Sequence, residues 1–171
     1  MAACGMTKRR RVFEQGHARK LLVIVDESPE VEGALFYAAG RATHTAGQIT
    51  LLYVIEPDNQ FWDAVRQAQL DEQTNKAKAL FRLFRRKLAN AGYDKVAVEE
   101  VIREGKLVES IRQQIEDDED VAVLVLGASK ETTGPGPLVA SLAVGATAGN
   151  FPIPITIVPG DLSLEEIQAL A

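Results

Sequence analysis

The sequence predicts an α/β fold: one open five-stranded parallel sheet, doubly wound, with helices on both faces. Short apolar runs recur at residues 21–26, 49–55, 96–102, 121–126 and 153–158, and segments of helical period fill the intervals. Most of these runs are continuously apolar, as strands covered on both faces must be. The chain has 171 residues, 46% of them hydrophobic and 25% charged, which suits one domain with a sizeable core. Parallel neighbours need right-handed crossovers, so the doubly wound sheet is the economical arrangement.

The elements follow in order. LLVIVD at residues 21–26 is the first strand, and Ser28-Pro29 opens a helix as N-cap and first helical residue. Val31, Leu35, Ala38 and Ala42 recur at helical spacing to face the sheet, and Gly47 marks the end. ITLLYVI at 49–55 is the second strand. Pro57-Asp58 breaks it before a long amphipathic helix over about residues 60–91, with Ala77, Leu80, Phe84 and Leu88 as its stripe and Gly92 just past its end.

Residues 96–102 alternate more than the other strands, and Glu99 and Glu100 fit an edge with one solvated face. A helix over 106–115 follows, with Leu107, Val108, Ile111 and Ile115 on one side, and then the acidic run 116–120, read as a solvated connector. The stretch VAVLVLGASKETTGPGPLVAS, residues 121–141, is a strand that opens into a Gly/Thr/Pro loop and then an apolar helical segment. Such a layout suits an anion or nucleotide site, because ligands of parallel sheets bind beyond the carboxyl ends of the strands. It matches neither the P-loop nor the dinucleotide glycine signature. The last strand is IPITIV, Ile153 to Val158, and Ser163 with Glu166 forms a capping-box pattern for a short terminal helix.

Taken together, LLVIVDESPEVEGALFYA, ITLLYVIEP, EEVIREGKLVESI, VAVLVLGAS and FPIPITIVPG resemble the universal stress protein family over residues 19–160. The order and spacing of the pieces carry the resemblance. It implies a Rossmann-like sheet of the adenine nucleotide alpha hydrolase type and a homodimer built through the strand Ile153 to Val158. It divides the chain into a basic, mobile N-terminal arm at 1–18, the family domain at 19–160 and the terminal helix at 161–171.

Some members of the family bind ATP and others do not. In those that do, an acidic residue ends the first strand, which Asp26 matches, and a backbone contact for adenine lies late in the second, which Val54 matches. Their phosphate loop runs Gly, two residues, Gly, nine residues, Gly, then Ser or Thr. Counted from Gly127, that spacing lands on Lys130, Ala140 and Ser141. A Cβ at the two lost glycines restricts the backbone that would approach a phosphate. Lys130 offers a positive charge in exchange, Ser129, Thr132 and Ser141 offer hydroxyls, and Gly134 and Gly136 restore turn freedom, while Pro135 and Pro137 remove two amide donors.

The expected ligand set is therefore Asp26, Val54, Gly127, Ser129, Lys130, Gly136 and Ser141, holding ATP or another adenine nucleotide, with Mg if ATP. Asp26 has a second reading as the cap of the turn into the first helix. Two alternatives stand beside this one: a nucleotide-free dimeric interaction module, and a slow ATP hydrolase, for which no base or metal ligand besides Asp26 is visible. A receiver-domain reading lacks the additional acids it needs.

Other classes are excluded. No apolar run reaches the roughly 18 to 20 residues of a membrane span. The lone Cys4 supports neither a disulfide framework nor a cysteine metal cage, and a reducing cytoplasm is the expected setting. Residues 1–20 carry six basic side chains against Glu14, leaving the remainder at −10, which disfavours nucleic-acid binding by the folded body. Arg10-Arg11-Val12-Phe13 resembles a twin-arginine signal but lacks an apolar region after it. His17 and His44 have no nucleophile partner in view, and Phe61 and Trp62 are read as packing residues that offer at most an apolar anchor for a protein partner.

Overall fold

The computed structural model of the protein describes residues 8–60 and 62–171. Cys4, the first seven residues of the basic arm and Phe61 lie outside the described residues. The strands are β1 (Lys20–Ile24), β2 (Gln48–Ile55), β3 (Val98–Glu104), β4 (Val121–Gly127) and β5 (Ile155–Val158), all parallel, in the order β3-β2-β1-β4-β5. The helices are α1 (Glu30–Thr45), α2 (Asp63–Asn90), α3 (Leu107–Asp117) and α4 (Leu164–Leu170). The fold is the open, doubly wound α/β sheet that the apolar runs predict.

Side-chain alternation splits the core in two. Leu21 and Val23 of β1 pack with α1, α2 and Ile167 of α4, whereas Leu22 and Ile24 pack with Ile111 and Ile115 of α3 on the other face. The runs of β1, β2 and β4 read as almost continuously apolar because both faces are covered, unlike edge strand β3. The α2 stripe buries Ala77, Phe81, Phe84 and Leu88, and Leu80 is only partly covered. The edge position of β3 leaves Glu99 and Glu100 exposed, where they meet Lys20 and Arg85. In α4, the Glu166 N–H donates to Ser163 Oγ at 3.2 Å and the Ser163 N–H to Glu166 at 2.7 Å, completing the capping box.

Several boundaries depart from the sequence reading for local reasons. Helix α1 starts at Glu30 with Pro29 in the cap position and no side-chain cap hydrogen bond, while the Ser28 N–H donates to Asp26. Its left-handed C-cap is Ala46 (φ 50°), not Gly47. Strand β5 begins only at Ile155, since Pro154 has no N–H to give a ladder, while Ile153 is buried in the α3-side core. The apolar segment after the loop is a π-helical turn over Val139–Val144 and a short 3₁₀ turn over Ala148–Asn150.

The acidic run and the basic arm find each other. Residues 8–18, expected to be mobile, lie along the end of α3, where Arg10 Nη1 donates to the Ile115 and Asp118 carbonyls at 2.6 and 3.0 Å. His17 meets Asp120 at 2.6 Å. At the start of β1, Lys20 Nζ donates to Asp118 at 2.7 Å and to Glu99 at 2.9 Å, with its side chain only 16% exposed. The run 116–120 is thus an ion-paired seam rather than a free solvated loop.

Burial works to lower the Lys20 pKa, but the hydrogen bonds to Asp118 and Glu99 outweigh it, so the net shift is upward. A group raised in the folded state stabilises fully below its unfolded value and loses that contribution as pH rises through the folded value. Lys20→Met should cost about 1 kcal/mol, chiefly through the largely covered Asp118, since Glu99 is exposed and still accepts from Thr50. Thermal melts near neutral pH should show that gap, and it should close in strongly alkaline buffer. An unchanged melting temperature at neutral pH would show the bridge to be idle.

Candidate functional site

The strand order reverses direction between β1 and β4, and a parallel sheet opens a crevice at that point. Beyond the ends of these strands lies a cleft of about 530 Å³, bounded by Asp26, Ser28 and Glu30 on one side and the loop from Gly127 to Ala140 on the other. A smaller cleft of about 190 Å³ adjoins it, between Asp26, Tyr53, Val54, Glu56 and Leu107. Asp26 lines both.

The short link from β1 to α1 sets this position. Asp26 Oδ1 accepts from the Ser28 N–H at 2.7 Å, an Asx turn that fixes the chain before Pro29 and Glu30. Asp26 thus serves the turn while still facing the clefts. Strand β4 ends on Gly127 because α1 passes against it: a Cβ there would lie 2.1 Å from the Glu30 carbonyl oxygen. That is backbone against backbone, so nothing but glycine fits.

The loop spends much of its polarity on itself. The Ser129 N–H donates to Pro135 O at 3.0 Å, the Glu131 N–H to Ser129 Oγ at 3.1 Å, and the Ala140 N–H to Gly136 O at 3.0 Å. Gly136 holds φ +95° at the turn toward the π-helical segment, a conformation that side chains rarely adopt.

The expected residues divide into three groups. Asp26, Gly127, Ser129 and Gly136 come together in the larger cleft, and Val54 joins Asp26 in the smaller one. Lys130 and Ser141 line neither. Lys130 is exposed, with its main chain held against Gly160, and Ser141 Oγ donates to the Leu138 carbonyl at 3.3 Å on the exposed side of the π-helical turn. A spacing rule transfers to a side chain only if the loop follows the same path, and two prolines with a π-helical turn redirect this one.

Two acids were missed by the sequence reading. Glu30 and Glu131 line the larger cleft with Asp26, and no lysine or arginine stands among the described residues that line it. The Glu30 carboxyl lies below its ordinary value, first through its own main-chain N–H and, against the opposing effect of desolvation, through the Ser28 and Ser129 hydroxyls. An acid in the first turn of a helix that starts beside the strand end was the available signal.

An open parallel sheet with a divided cleft at its switch point places the molecule among the doubly wound α/β proteins. The model of the universal stress protein family matches residues 17–159, and the chain belongs to that family. Among solved structures, it resembles a universal stress protein UspA from Lactobacillus plantarum, 20% identical over 82% of this chain and 97% of the other, with a TM-score of 0.63. A universal stress protein family member from Burkholderia pseudomallei is 15% identical over 82% and 95% of the two chains, with a TM-score of 0.59. A universal stress protein from Archaeoglobus fulgidus in complex with dAMP is 16% identical over 82% and 97%, with a TM-score of 0.54. No curated protein sequence matches the chain. No helix among the described residues is long and apolar enough to cross a membrane.

Proposed function

We propose that this protein binds an adenine nucleotide across the two clefts and acts as a cytoplasmic, homodimeric stress-response protein. The observation that carries the binding is the shared position of Asp26. The smaller cleft, with Val54 and Leu107, takes the flat base; Asp26 accepts from ribose hydroxyls; the larger cleft takes whatever the sugar carries. The dAMP complex of the Archaeoglobus fulgidus protein supports this reading by analogy of fold. Were ATP the ligand, Mg would accompany its phosphates. Strand β5, whose outer edge pairs with no strand among the described residues, supplies the dimer contact, with Ile157 40% exposed beside it.

Ligand released by denaturing the purified protein should give the mass of an adenine compound. In thermal melts, AMP at about 100 times its Kd should stabilise the fold by roughly 2.7 kcal/mol. Asp26→Ala should remove that response, because the variant loses the group placed between base and phosphate. No shift with AMP, adenosine or ATP at about 1 mM would set aside binding at biologically relevant strength.

A further inference from the structure

We infer that Glu30 is a specificity-determining residue of the cleft: its carboxylate holds the place a phosphate chain would take, so the site selects adenine ligands of low charge over the triphosphate. The inference rests on the nucleotide reading and names its ligand class.

Three observations lead to it. Glu30 begins α1 at the carboxyl end of the sheet, where the free N–H groups of a helix favour an anion, and the chain supplies that anion itself. The Ser28 and Ser129 side chains line the cleft beside this carboxylate and help to hold its pKa below the ordinary value. The missing side chain at Gly127 gives Glu30 room: the Glu30 main chain and Cβ fill the volume a Cβ would claim.

The surroundings offer an incoming phosphate no compensation. Asp26 and Glu131 add two more carboxylates to the lining, and Lys130, the cation expected here, is not part of it. Several loop amides are bonded within the loop, and Pro135 and Pro137 have none to offer. Each phosphate charge added to the ligand therefore meets like charge in a partly desolvated cleft, whereas adenosine brings none.

The test is calorimetric titration of the full chain with adenosine, AMP and ATP, without divalent ions. The wild type should bind adenosine at least about tenfold more tightly than ATP, with AMP between them. Glu30→Gln keeps the shape and removes the charge, and should narrow the adenosine-to-ATP ratio by about tenfold. Glu32→Gln removes the same charge one half-turn away, where Glu32 pairs with Lys87, and should leave the ratio in place. Glu30→Asp keeps a helix-start acid but shortens it by one methylene and draws the charge back toward the helix, so it should narrow the ratio by less; it also serves if the glutamine variant fails to fold. Equal affinity of the wild type for adenosine and ATP, or one ratio shared by Glu30→Gln and Glu32→Gln, would overturn the inference and leave the nucleotide reading standing. Absence of binding by all three ligands to all variants would overturn both.

Discussion

Replacing Gly127 with alanine is expected to destabilise the protein by about 3 kcal/mol, at the upper end of the cost of overpacking. The added Cβ would sit 2.1 Å from the Glu30 carbonyl oxygen and 2.8 Å from its carbonyl carbon. Neither atom belongs to a flexible side chain, so relief requires α1 to move away from β4. That helix carries Leu35, Ala38 and Ala39 of the larger core, and its displacement loosens contacts along the whole face. For a chain of this size the loss should lower the melting temperature by roughly 10 °C. The same movement shifts Glu30 and deforms the cleft it lines, so the response to adenine ligands should disappear with the stability. Gly149→Ala is the matched control: beyond its own chain neighbours, no described atom lies within 4 Å of its Cβ position, and a change within about 0.5 kcal/mol is expected. If the two variants melt together, the packing role of Gly127 is refuted.

The second large effect concerns assembly. Strand β5 pairs with β4 on one side, and its other edge meets no strand among the described residues. Proline on both flanks, at Pro154 and Pro159, limits how far a foreign strand can extend the pairing, which suits a short symmetric contact. In a two-fold contact each substitution appears twice. Ile157→Lys therefore puts two ammonium groups into one interface and should turn a dimer into a monomer by sedimentation at about 20 µM. Ile157 is preferable to Ile155 for this purpose, because Ile155 packs against the α3-side core and its replacement would also damage the fold. Val65→Lys, on an exposed part of α2, adds the same charge away from β5 and should leave the dimer intact. A wild-type chain that sediments as a monomer, or an Ile157→Lys chain that does not, would refute the proposed contact.

Much of the architecture was legible from local pattern. The apolar runs located the five strands to within a few residues, because the central strands, buried on both faces, cannot place a polar side chain inward, and edge strand β3 alternates. The Ser163 and Glu166 cap was equally readable, since both partners lie within one turn of chain. Asp26 and Gly127 could be chosen for the site because the end of a strand and the loop after it are sequence features.

What the pattern could not reach depended on the path of the chain in space. Lys130 and Ser141 satisfied a spacing but not a cleft, because Gly134, Gly136, two prolines and the π-helical turn decide where a loop of that length runs. Glu30 went unread because its place in the cleft depends on α1 crossing β4 at a glycine. The basic arm and the acidic run looked like independent solvated segments, yet they lie more than 100 residues apart and meet through Arg10 and His17. The sequence by itself determined the alternation of strands and helices, since burial of each element's apolar face is a local requirement. Only the tertiary structure decided which charges face one another in the cleft, since that depends on the approach of elements distant in the chain and on the backbone volume available where they cross.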